Sequence, residues 1–225
     1  PGVHKIQYFH DNKPKVSIII PVKDMQKQIQ RLVTFLLTKT SYDNFEIIIV
    51  HIPSQDLGLA SYLNVISTNN ENIKLFEYHD NYNLSSILNK GAAHASGDYL
   101  CFMFPDLLPV NNDWLNNLIS YALCKDVGCV GPKVTFHDGS LYHAGSVMGL
   151  QGVANHPYFK ADKNELGRQK WINIPKDTTS LTISGLTIRK HLFEKLGHFD
   201  EQNFSYIHLD TDLCCKSHNA GYRNV

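Results

Sequence analysis

Two hydrophobic patterns alternate along this chain: short unbroken apolar runs, and longer stretches with an apolar residue every third or fourth position. Residues 99–104, YLCFMF, carry no polar alternation and predict a strand buried on both faces. Pro105 and Asp106 end that run abruptly and leave one carboxylate at its carboxyl end. Residues 15–21 (KVSIIIP) and 45–52 (FEIIIVHI) predict two earlier buried strands, and residues 73–78 a third. Between the first two, Met25, Ile29, Leu32, Val33, Leu36 and Leu37 form the stripe of a helix that Asp24 is expected to cap. A weaker helix follows over 57–66. Residues 83–96 repeat the helical spacing with Leu84, Ile87, Leu88, Ala92 and Ala95, and Gly97 is expected to close that helix.

The second half is less regular. Asn112 or Asp113 caps a helix carrying Trp114, Leu115, Leu118, Ile119 and Leu123. Residues 127–136 predict a strand broken at Gly131-Pro132, and His137-Asp138-Gly139 a tight hairpin turn. From 141 to about 176 periodicity is lost, and so long an irregular segment inside a domain points to a functional loop. Residues 180–189 alternate as a strand with Gly185 at its middle, and 191–196 form a short helix ending at Gly197. Asp210 or Asp212 caps a last helix that stops before Gly221. Strict alternation of strand and helix in the first half predicts an α/β fold whose sheet is mostly parallel. In such sheets ligands bind at the carboxyl ends of the strands, which makes Asp106 the first candidate functional residue.

Composition narrows the function classes. With 225 residues and 43% hydrophobic content the chain can bury one sizeable core. Its 21 basic residues balance 21 acidic ones, so it carries no electrostatic footprint for nucleic acid, which is not expected as a partner. No run reaches the roughly 18 apolar residues of a membrane span, and the expectation is a cytoplasmic domain whose membrane contact, at the inner face, comes through other parts of a longer protein. Five cysteines without a C-x-x-C spacing predict reduced, packed thiols. The first residue is not Met and the closing AGYRNV looks like the start of a strand. These features lead to the expectation of a fragment, with residues 1–14 as an N-terminal extension and 15–225 as one domain truncated at its C-terminus.

The chain has no G-x-G-x-x-G after its first strand, no P-loop and no G-x-S-x-G elbow, which removes the best support for dinucleotide, NTPase and hydrolase readings. A nucleotidyltransferase reading would need a Gly-rich basic loop where PVKDMQKQ stands. The order of VSIIIPV, FEIIIV, NYNLSSILNKGAAHASGDYL, DWLNNLISYA, VGCVGPKV, DGSLYHAGSVMGLQGVANHPY, ISGLTIRKHLFEKLGHFDE and DTDLCCKSHNAGYRNV resembles the family 2 glycosyltransferases. These are inverting enzymes of the GT-A type found in bacterial polysaccharide and O-antigen assembly. The resemblance covers nearly everything from Lys15 to Val225.

That resemblance implies a nucleotide-diphospho-sugar donor, linked to UDP, dTDP or GDP, and a glycan or lipid-linked acceptor. It implies Mg²⁺ or Mn²⁺ on the donor diphosphate, held by Asp106 at the last position of a D-x-D element, and Asp210 as general base. Pro21, Val22 and His51 fall where the family holds the donor. Asn83 and Lys90, on the helix before the central strand, and His143 and His156, in the irregular segment, complete the substrate-binding candidates. Tyr158 and Trp171 are candidates for stacking on a sugar ring. The spacing of His137, His143 and His156 matches no standard zinc set. Phe104 and Pro105 depart from the first two D-x-D positions, His51 from an expected Asp, and Leu209 from an expected acid or amide. These departures define the competing reading, a catalytically silent GT-A domain that binds a nucleotide, a glycan or a partner.

Overall fold

The computed structural model describes residue 8 and residues 12–150, 152–162 and 172–225. Most of the expected 1–14 extension, and Trp171, lie outside the described residues. The first half follows the expected alternation: β1 (Val16–Val22), α1 (Gln26–Lys39), β2 (Phe45–His51), α2 (Leu57–Asn69), β3 (Ile73–Glu77), α3 (Leu84–Ala93), β4 (Tyr99–Phe102) and α4 (Trp114–Ala122). The rest comprises β5 (Cys129–Val130), β6 (Val134–Thr135), β7 (Leu141–His143), β8 (Val147–Met148), β9 (Ala154–Asn155), β10 (Leu186–Arg189), α5 (Lys190–Lys195) and α6 (Leu209–Asn219).

Six strands form the central sheet in the order β3-β2-β1-β4-β10-β5. β1 pairs in parallel with β2 and β4, and β2 with β3, while β10 runs antiparallel between β4 and β5. Strand order therefore reverses between β1 and β4, the switch point where an open α/β sheet leaves a crevice. Because the central strands are buried on both sides, successive side chains feed two cores. Val16, Ile18, Ile20 and Val22 face α1, α2 and α4, whereas Ile19, Ile48, Val50 and Phe102 face α3, α5 and α6.

Several local expectations fail, each for a physical reason. Asp24 does not cap α1; Met25 holds the N-cap position in the left-handed region (φ 70°) with no side-chain cap. His208 (φ 62°) does the same for α6, so Asp210 and Asp212 lie inside the first turn of that helix rather than at its cap. Gly97 does not end α3, which closes at His94. Instead it lets two backbones meet: a Cβ there would stand 2.7 Å from the Lys15 carbonyl oxygen and 2.8 Å from the Ser17 nitrogen.

The strand expected over 127–136 divides into β5, in the main sheet, and β6, in a separate pair with β7. The expected strand 180–189 is regular only over β10, because Gly185 turns the chain with a positive φ of 87°. Within the expected irregular segment 141–176 the described residues form β7 and the β8–β9 pair, while 151 and 163–171 lie outside the described residues. The His137-Asp138-Gly139 turn does join β6 to β7, with Asp138 accepting from the amide and hydroxyl of Ser140. The closing residues do run as an edge: Arg223 bridges Val127 in parallel, and the Val225 amide donates to the Cys129 carbonyl. All five cysteines are free thiols. Among the described residues no helix is long and apolar enough to cross a membrane.

Candidate active site

The carboxyl edge of the sheet is stepped. β4 ends at Phe102, level with Ile19, so β1 projects beyond it as far as Val22, which pairs with His51 on β2. Pro21 and Val22 are buried. His51 is 3% exposed, and its Nε2 is buried with no hydrogen-bond partner among the described residues. Its Nδ1 lies 4.0 Å from the Glu77 carboxylate on β3. Burial lowers the His51 pKa, opposed by the charges of Glu77 and Asp24, so the ring favours its neutral form. The neutral imidazole thus keeps one buried nitrogen without a hydrogen-bond partner among the described residues at this strand end.

Beyond β4 the Leu107 amide donates to the Phe104 carbonyl, turning the chain so that Asp106 is exposed. Phe104 packs against the core beneath α3, α5 and α6. Among the described residues no three His, Cys, Asp or Glu side chains come together as a metal cluster. Histidines 137, 143 and 156 accordingly form no such group. One hard carboxylate oxygen does not make a resident metal site, but it suits a Mg²⁺ or Mn²⁺ ion that arrives with diphosphate oxygens and water as its remaining ligands.

The opposite wall comes from α6 and the segment before β10. Since β10 is antiparallel to β4, its leading residues lie at the carboxyl edge of β4, and the Gly185 amide donates to the Phe102 carbonyl. Two successive amides of this segment hold the candidate base, Asp210, and the candidate substrate-binding His143. Ile183 N–H donates to Asp210 Oδ2 at 2.9 Å, and Thr182 N–H donates to His143 Nε2 at 3.2 Å. Thr211 N–H donates to Asp210 Oδ1 at 2.8 Å, and the Thr211 hydroxyl meets that of Ser180 at 3.0 Å. Burial raises the Asp210 pKa against the opposing pull of the Thr211 and Ile183 amides, which makes the carboxylate a stronger base.

His143 is fully buried and packs edge-on against His156, which is half-buried. Burial, with the charges of His156 and Lys176, holds the His143 pKa down to about 3. Burial also lowers the pKa of His156, opposed by the charge of Asp210.

The structure thus gathers Asp210, His143 and His156 around one segment and sets Pro21, Val22 and His51 on adjoining strand ends. Asn83 and Lys90 are engaged elsewhere. Asn83 caps α3 by accepting from the Ser86 amide and donates to the Glu201 carbonyl, while Lys90 donates to the Glu77 carbonyl and lies over the Tyr78 ring. Tyr158 carries the Lys176 ammonium over its ring, 4.9 Å from the centroid. Asp212 pairs with Lys216 one turn on. The amides of Thr182 and Ile183 and the hydroxyl of Ser146 escaped sequence reasoning, because backbone donors in an aperiodic stretch leave no pattern to read.

A family model described as Glycosyl transferase family 2 matches residues 17–181. The O-antigen biosynthesis protein RfbC of Myxococcus xanthus is 33% identical over 229 residues, covering 100% of this chain and 18% of that protein. An uncharacterized protein of Sinorhizobium fredii, y4gI, is 30% identical over 215 residues, covering 96% of this chain and 24% of that protein. The chain therefore spans less than a quarter of the length of either relative. Among solved structures it is similar to the mannosyltransferase PcManGT of Pyrobaculum calidifontis in complex with GDP-Man and Mn²⁺ (TM-score 0.71, 18% identity, 96% of this chain and 55% of that one). It is also similar to GalNAc-T7 with UDP, GalNAc and Mn²⁺ (TM-score 0.77, 16% identity, 96% of this chain and 43% of that one). At such identities the likeness speaks to fold alone. The chain belongs to glycosyl transferase family 2 and has the GT-A fold.

Proposed function

We propose that this domain transfers a sugar from a nucleotide-diphospho-sugar to a hydroxyl of a glycan or lipid-linked acceptor, inverting the anomeric centre, with Asp210 as general base. The observation that carries this reading is the setting of Asp210: a carboxylate of raised pKa, held by the Ile183 and Thr211 amides at the carboxyl edge of the sheet. From there it takes the acceptor proton as the hydroxyl attacks in line. The donor lies along the ends of β1 and β2, with its nucleotide beside Pro21, Val22 and His51. Asp106 is the residue that would hold Mg²⁺ or Mn²⁺, which when bound would offset the negative charge developing on the departing diphosphate. The GDP-Man and UDP named with the two solved structures support a nucleotide-sugar donor, and the name of RfbC supports a polysaccharide acceptor. The same reading puts the domain in the cytoplasm as one part of a longer protein.

Many transferases release sugar slowly to water when no acceptor is present, and that reaction tests the base. Incubation with UDP- and GDP-sugars and Mn²⁺ is expected to release sugar of inverted anomeric configuration, read by NMR, with a loss of about 10²–10⁴-fold in Asp210→Asn. Release of sugar at an unchanged rate by Asp210→Asn would contradict the assignment. The silent-domain reading is favoured by Phe104, which turns into the core where a D-x-D element would present its first acid. It requires nucleotide or glycan binding with no turnover of any donor.

A further inference from the structure

His143 Nε2 accepts two backbone hydrogen bonds, from Gly145 and Thr182, each at 3.2 Å. A nitrogen that accepts carries no proton, so the neutral ring keeps its hydrogen on Nδ1. That Nδ1 lies 2.9 Å from His156 Nδ1, which must then be the acceptor. The Ser146 hydroxyl, 3.1 Å from the same atom, donates to it as well. By elimination the His156 proton sits on Nε2, for which the described residues supply no acceptor. The ring is held at 87° to His143 and packs against Tyr142 and Phe159, which also meet each other. Protonating His156 would set N–H against N–H, so the pair opposes it.

We propose that His143 is a positioning residue that fixes His156 as the neutral Nε2–H tautomer, and that His156 uses this N–H to bind a sugar acceptor through an oxygen neighbouring the hydroxyl that Asp210 deprotonates. The inference rests on the glycosyltransferase reading and deepens it by naming the contact that selects a hydroxyl-rich ring. Two features join His156 to the base: Asp210's charge acts on it, and the Thr182 amide that orients His143 adjoins the Ile183 amide that orients Asp210.

Imidazole ¹⁵N NMR of histidine-labelled protein tests the positioning step without reference to activity. The wild type is expected to show His156 as Nε2–H at neutral pH. His143→Asn, whose amide can still donate from the Nδ1 position, retains that tautomer. His143→Gln, which fills only the Nε2 position, gives a mixture of tautomers. In transfer assays His156→Ala is expected to raise the acceptor KM about tenfold, the worth of one neutral hydrogen bond, with the donor KM unchanged. His143→Gln shifts the acceptor KM in the same direction and His143→Asn restores it. A His156 ring protonated on Nδ1, or a His143→Gln protein with unaltered tautomer and acceptor KM, would overturn the proposal. Failure of the wild type to bind UDP or GDP would instead bring down the glycosyltransferase reading and the acceptor contact with it, while the tautomer stands or falls on the NMR alone.

Discussion

Ser17 and Glu46 stand directly opposite each other on β1 and β2, and the Ser17 hydroxyl donates to the Glu46 carboxylate at 2.6 Å inside the sheet. Both residues are buried. The Ser96 amide and hydroxyl donate to the same carboxylate, and Lys74 and Lys15 lie 2.9 and 3.2 Å from it. The amino edge of the sheet is thereby locked by a fully partnered charge, while the carboxyl edge keeps the unused His51 nitrogen and the exposed Asp106. The locked charge and the candidate site occupy opposite ends of the same strands.

Burial alone would raise the Glu46 pKa, but hydrogen bonds from Ser17, Ser96 and Lys74 outweigh it and hold the value at about 2, against 4.5 for a free side chain. A depressed carboxylate pKa stabilises the fold above the unfolded value and loses that contribution as pH falls through the folded one. Stability is therefore expected to decline between about pH 4.5 and pH 2, by at most roughly 3 kcal/mol from this group. Glu46→Gln removes that part of the decline and lowers stability at pH 7; urea titrations across the pH range measure both.

His143 acts in a higher window. With a folded pKa of about 3 against 6.5 for a free ring, the unfolded chain binds the extra proton first as pH falls. Stability drops from about pH 6.5 toward pH 3, with a slope of up to about 1.4 kcal/mol per unit. Between pH 6.5 and 4.5, above the Glu46 window, His143→Asn is expected to flatten the stability curve by about that slope. An unchanged slope in the variant would mean that the ring is not held neutral by its surroundings.

Gly97→Ala introduces a Cβ against the Lys15 carbonyl and the Ser17 amide, backbone atoms that cannot swing aside. Thermal and denaturant unfolding should show a loss of roughly 1–3 kcal/mol, since overpacking outweighs any gain from a stiffer unfolded chain. A neutral outcome would mean that β1 and the segment leading into β4 can separate at no cost.

How much of this was legible in the sequence depended on periodicity. Apolar runs such as VSIIIPV and YLCF belong to strands buried on both faces, so β1, β2 and β4 and their intervening helices could be read directly. Asp106 and Asp210 could be located because a strand end and a helix start each leave a signature in sequence. The caps could not: Met25 and His208 take left-handed conformations with no side-chain cap, and no side-chain rule anticipates them. Gly97 carried a helix-end signal but serves a close approach between segments 80 residues apart. The β8–β9 hairpin has two residues in each strand, too few to establish a period. The contact between His143 and His156 depends on that hairpin, so its geometry could not be read in advance.

The most direct test of the account is calorimetric titration of the folded protein with UDP and with GDP, each with and without Mn²⁺, beside the Asp106→Ala variant. The account predicts binding of at least one nucleotide that requires Mn²⁺ and disappears in Asp106→Ala while the variant stays folded. Binding of neither nucleotide under any of these conditions would contradict it.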